Sequence, residues 1–160
     1  VTAIIALVCG SGLLVSSGAQ ATTQASQPAG LDHFLCYTAT AAGFRAPPGV
    51  TLVNQLAPNG FTPAIGAVNM HCNPALKIVP GAQFPPQSPD WHLLCWRITA
   101  TQPTHTVVVT NQFGSAQLDT SSPTQLCLPS LKSIQNPPVF PTPSPSEITP
   151  DHFTCYPVTY

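Results

Sequence analysis

Lys and Arg number 4 and Asp and Glu 5 in a chain of 160 residues, so that 6% is charged while 43% is apolar; an ordinary soluble domain carries roughly 25% charge. A formal net charge of −1 offers no basic footprint for a phosphate backbone and excludes nucleic acid as a partner. With 20 prolines and so little charge, solubility rests on Thr, Ser, Asn and Gln, which fits an exported protein and leaves self-association open.

Residues 1–21 read as an export signal, an apolar run from Ala3 to Val15 followed by small residues ending Ala19-Gln20-Ala21. The run is too short to span a bilayer. It has neither an initiator Met nor a basic head, so the signal reads as incomplete, and Cys9 sits inside the apolar stretch rather than at a lipidation site. Residues 22–30 are a flexible polar lead-in. The expected mature protein is therefore secreted, extracellular or at the cell surface, has no membrane span, and folds where disulfides form.

From residue 31 the chain repeats itself. His33-Phe34-Leu35-Cys36-Tyr37 returns as His92-Leu93-Leu94-Cys95-Trp96 and again as His152-Phe153-Thr154-Cys155-Tyr156, at a period of about 60 residues. Asn54-Gln55-Leu56 matches Asn111-Gln112-Phe113, and Cys72-Asn73-Pro74-Ala75-Leu76-Lys77 matches Cys127-Leu128-Pro129-Ser130-Leu131-Lys132. The body is read as a duplicated unit followed by the start of a third copy. Its symmetry pairs Cys36 with Cys72 and Cys95 with Cys127, one of three connectivities open to four cysteines. Each bridge is expected to stabilise by roughly 3–4 kcal/mol. Cys155 is left unpaired.

In chain order, the segments around Cys36 and Cys95 predict strands, with Thr-rich continuations at Tyr37-Thr38-Ala39-Thr40 and Trp96-Arg97-Ile98-Thr99. Val50-Thr51-Leu52-Val53 and Val107-Val108-Val109-Thr110 are β-branched runs that end at Asn-Gln, and residues 64–70 lead into Cys72 as a further strand. Pro, Gly and Thr interrupt every stretch long enough for an amphipathic helix. The expected fold is all-β: a disulfide-stapled β-sandwich or barrel-like domain over residues 31–135, built from two repeated units that cover each other's apolar faces. Residues 136–150, dense in proline, predict an extended linker, and residues 151–160 the start of a further repeat.

The recurring His three before Cys invites a metal reading, since both are ligands of zinc and copper. On a strand, residues three apart point to opposite faces, so His33 and Cys36, like His92 and Cys95, cannot grip one ion. No metal and no cofactor is expected, although thiols left free beside His71 and His33 would restore that reading. Lys77 and Lys132, each five after a cysteine, and Asp32 and Asp90 before theirs, suggest charge pairing within each unit. Tyr37, Trp96 and Tyr156, at equivalent positions, are expected in the core or across strands. Phe44, Phe61 and Trp91 have no equivalents and are the candidate binding surface. Enzymatic activity is not expected: Asp32, Asp90 and Asp119 form no recognisable dyad, and neither a nucleophile elbow nor a phosphate loop occurs in the mature region.

Across residues 31–160 the order Asp-His-Phe-x-Cys-Tyr, Asn-Gln-Phe or Asn-Gln-Leu, then Cys-Asn-Pro-x-x-Lys resembles a domain of unknown function found, often in tandem, in secreted bacterial proteins. The resemblance implies an extracellular, disulfide-bearing all-β module and supplies no activity. The functional expectation is a non-enzymatic structural or adhesive repeat module. A glycan- or metal-binding module is the first alternative, with a surface glycan or another extracellular protein as partner. The second is a fibre subunit assembled by strand addition, self-associating through residues 151–160.

Overall fold

The computed structural model describes residues 31–111 and 113–160. The expected export signal and lead-in, residues 1–30, lie outside the described residues. Among these the chain is all-β, with strands β1 (Phe34–Thr38), β2 (Leu52–Asn54), β3 (Ala57–Phe61), β4 (Ala64–Pro74), β5 (Lys77–Val79), β6 (Ala82–Phe84), β7 (His92–Thr99), β8 (His105–Asn111), β9 (Gly114–Thr120), β10 (Gln125–Ser130), β11 (Phe153–Cys155) and β12 (Val158–Thr159). No helix among the described residues is long and apolar enough to cross a membrane.

The body is one antiparallel sheet in the order β1-β4-β7-β10-β11, curled into a half-barrel, which is the barrel-like form of the expected architecture. Curling is promoted where β4 meets β7: the register shifts between Ile65 and Val68 and again between Val68 and Met70, and such bulges bend a strand and raise its twist. Gly66 lies in this irregular stretch, where a Cβ would come within 3.3 Å of the Arg97 carbonyl. That close approach explains a residue without a side chain there.

Alternation along each strand divides the residues between two faces. One face carries Cys72, Leu93, Cys95 and Cys127 as a buried cluster, with Phe34, Met70, Phe153 and Cys155 packed against it. The other face of β7 is buried too, with Trp96 and Ile98 joined by Leu126 of β10 and Val68 of β4. Each such aliphatic side chain contributes roughly 1.5–3 kcal/mol by leaving water. The loop after β1 covers this second face: the Phe44 ring packs tilted against Trp96 at 5.5 Å, and the Asn54 side-chain amide at the end of β2 donates to the Tyr156 hydroxyl at 2.9 Å. Of the recurring aromatic positions, Trp96 is buried, Tyr156 half-buried and Tyr37 exposed, because β1 is an edge strand and β7 a central one.

Both expected disulfides are present, Cys36–Cys72 and Cys95–Cys127. Each joins residues directly opposite on neighbouring strands, with Cα atoms 3.9 Å and 4.0 Å apart. The hydrogen bonds Ala39 N–H to Asn69 O and Ile98 N–H to Thr124 O lie three positions from these pairs. Hydrogen-bonded and non-bonded pairs alternate, so both bridges occupy non-bonded positions, where antiparallel strands approach most closely.

The same alternation explains the prolines two after each cysteine. Pro74 and Pro129 stand at non-bonded positions toward β1 and β7, opposite Phe34 and Leu93. Their missing N–H groups therefore face β7 and β11, beyond the last pairs Cys72↔Leu93 and Cys127↔Phe153. Proline is tolerated because the neighbouring strand has already ended.

Three hairpins lie outside the main sheet, β2–β3, β5–β6 and β8–β9, and the turns of the first and the last are each held by an asparagine. Asn54 Oδ1 accepts from the Leu56 and Ala57 amides, and Asn111 Oδ1 accepts from the Phe113 amide. The β8–β9 hairpin extends through β12, which pairs with β9. The proline-rich segment read as a spacer carries no strand, yet it is tied back to the body. Asp90 N–H donates to Glu147 Oε2 and Ile148 N–H to Ser88 Oγ, and residues 153–155 then add β11 to the main sheet.

Candidate functional site

The polar residues that recur in the sequence gather on the face opposite the cysteines, where odd spacing from each cysteine places them. Lys77 Nζ lies 3.2 Å from His33 Nε2 and 4.5 Å above the Phe84 ring, and the same ring packs on His33 at 5.9 Å. Farther across the sheet the His71 and His92 rings stack at 5.4 Å. His71 Nε2 donates to Asn73 Oδ1 at 3.0 Å, and Lys132 Nζ donates to the same oxygen at 2.8 Å. Asn73 thus links β4 to the segment that follows β10.

His92 is buried, and its pKa is lowered to about 4: burial disfavours the imidazolium first, and the charges of Lys132 and His71 add to this. At neutral pH it is a neutral ring stacked on another ring. Its Nδ1, like that of His33, is buried without a hydrogen-bond partner. Among the described residues no three His, Cys, Asp or Glu side chains converge as metal ligands. The thiols whose freedom a metal reading required are bonded to each other.

The acids lie elsewhere. Asp32 accepts from the Gln87 amide at 2.7 Å and the Ser88 amide at 2.9 Å, one on each carboxylate oxygen. Asp119 accepts from the Thr106 hydroxyl across β8 and β9. Asp32, Ser88 and Glu147 together tie the lead-in of β1 to those of β7 and β11. The roles of Ser88 and Glu147 had no sequence signal, because the residues they contact are 56 to 60 positions away.

Phe44, Phe61 and Trp91 are placed on different elements. Phe44 packs at a tilt against Trp96 and lines a cleft with Arg45 and Ile65, Phe61 pairs with Leu52 between β3 and β2, and Trp91 lies in the turn before β7 with its amide on Ser88 O. A separate open groove of about 530 Å³ is lined by Asn69, Arg97, Thr99, Ser122, Thr124 and Gln125. Asn69 Oδ1 there is buried without a partner. The largest exposed apolar side chains of the projecting hairpin are Phe113 at 87% and Val108 at 72%.

Cys155 is the free cysteine among the described residues. It is half-buried at the outer strand of the main sheet, and burial pushes its thiol pKa up. No protein-family model, curated protein or solved structure matches the chain.

Proposed function

We propose that this chain is a non-enzymatic, extracellular structural module built from tandem units, which holds out its hairpins as contact elements. One observation carries the proposal: residues that recur in the sequence hold the scaffold at corresponding places. The cysteines bridge strands at non-bonded positions, the asparagines form hairpin turns, and the prolines mark strand ends. Recurrence is then explained by architecture alone. Two disulfides suit an oxidising compartment, in keeping with the export signal read from residues 1–21. The exposed Phe113 and Val108 of the β8–β9 hairpin supply the adhesive contact.

The test is a set of melting curves on the full chain with reductant, with chelator and with neither, alongside retention on insoluble polysaccharides. The proposal expects melting to fall in reductant, to ignore chelator, and no retention on the polysaccharide. Chelator-sensitive melting would replace it with a metal-binding module. A glycan-binding reading has one specific support, the polar groove around Asn69 and Arg97. Saturable retention abolished by Arg97→Ala would establish that reading.

A further inference from the structure

The sheet alternates two kinds of strand. β1, β7 and β11 begin at or directly after the histidine of a His-x-x-Cys sequence, and β4 and β10 hold the Cys-x-Pro that opens a Cys-x-Pro-x-Leu-Lys sequence. Within a unit, cysteine stands opposite cysteine: Cys36↔Cys72 and Cys95↔Cys127. From one unit to the next the register steps by two residues in the same direction, giving Cys72↔Leu93 and Cys127↔Phe153, in each case two before the next cysteine. The rule holds at both junctions, and β11 is therefore laid down as the first strand of another unit.

We propose that the outer edge of β11, unpaired among the described residues, accepts one further antiparallel strand of the β4 and β10 kind, a Cys-x-Pro-x-Leu-Lys segment whose cysteine lies opposite Cys155 and bonds to it. This rests on the tandem-unit reading above and specifies what pairs with β11.

Three observations besides the thiol support this site. Cys155 O accepts from Thr124 N–H, so its backbone groups face β10. Toward an added strand Cys155 is therefore a non-bonded position, the setting of both existing bridges, and the Thr154 N–H and C=O are left pointing to the outer edge. Cys155 also packs on the buried face that holds Cys95 and Cys127, so a bridge there continues that cluster. Finally, His33 and His92 each lie near the lysine of their own unit, Lys77 and Lys132, whereas the equivalent His152 is exposed. The lysine of the added segment would fall beside it.

In a second folded copy both segments of this pattern are already flanked by strands on each side, β4 by β1 and β7, and β10 by β7 and β11. The occupant is thus a third segment of the same pattern rather than a docked copy. Bridging requires a small-molecule disulfide as oxidant. The thiolate of the docked strand attacks it and releases one thiol, and Cys155 then displaces the second thiol from the mixed disulfide. Two protein thiols lose two protons and two electrons, and the oxidant disulfide becomes two thiols.

The test uses the full chain, oxidised glutathione and a synthetic peptide with the sequence of residues 68–77, which carries Cys72. The control peptide has the residues of positions 72 and 73 exchanged, which turns its cysteine to the other face. Strand alignment gives an effective thiol concentration near the millimolar range, so at about 10 μM peptide the in-register peptide should bridge to Cys155 about a hundredfold faster than the control. A Cys155→Ser chain with a cysteine-to-serine peptide should still protect the Thr154 amide from exchange. Equal bridging rates for the two peptides, no Thr154 protection, or preferential Cys155–Cys155 dimers would each overturn the proposal. The melting curves above would still judge the tandem-unit reading independently.

Discussion

Removing each disulfide separates chain entropy from packing. The bridges span sequence separations of 36 and 32 residues. The chain-entropy model assigns them about 3.8 and about 3.7 kcal/mol, a difference of about 0.1 kcal/mol. Their surroundings differ far more, since Cys95 is 0% and Cys127 4% exposed, whereas Cys36 lies exposed on the edge strand. Replacing both members by alanine deletes two enclosed sulfur atoms in the central pair and only one, that of Cys72, in the edge pair. With about 1 kcal/mol for each void the size of a methyl group, C95A/C127A should cost about 5–6 kcal/mol and C36A/C72A about 4–5 kcal/mol. Urea unfolding followed by Trp91 and Trp96 fluorescence measures both, in a Cys155→Ser background that prevents thiol exchange. Equal costs would refute the packing argument. A loss below about 1 kcal/mol in either variant would refute the stapling argument itself.

Three further outcomes are expected. His92 binds its proton more weakly folded, at about 4 against 6.5 unfolded, so its contribution is complete above pH 6.5 and is lost as pH falls toward 4. With allowance for screening this amounts to about 1–2 kcal/mol, and a denaturation series against pH should lose that slope in His92→Gln. Asn54→Ala removes two turn hydrogen bonds and the bond to Tyr156, so chemical denaturation should show a loss of about 2–3 kcal/mol, against about 1 kcal/mol for Tyr156→Phe. Phe113→Ser, at a side chain 87% exposed, should shift stability by less than about 0.5 kcal/mol while weakening adhesion in a surface-retention assay.

Much of the scaffold is legible in the order of residues. Alternating β-branched runs and the scarcity of helical windows dictated strands, and the symmetry of the cysteines dictated the pairing found at Cys36–Cys72 and Cys95–Cys127. These features are legible because they depend on local periodicity and on the recurrence of segments along the chain. The turn role of Asn54 and Asn111 is likewise local, an oxygen reaching an amide two or three residues on. The remaining features depend on contacts between residues far apart in the chain. Asp32 and Glu147 bind backbone amides of the segment before β7, and Asn73 meets Lys132 across 59 residues. Tyr37 and Trp96 hold equivalent positions in sequence, yet one is exposed and the other buried, because strand order makes β1 an edge and β7 the centre. Phe44 packs on Trp96 for the same reason, and Phe61 and Trp91 lie on other elements. The two-residue step in register from Cys36↔Cys72 and Cys95↔Cys127 to Cys72↔Leu93 and Cys127↔Phe153 belongs to the assembled sheet, since register is set where strands meet, and strand order places Cys155 on the outer strand.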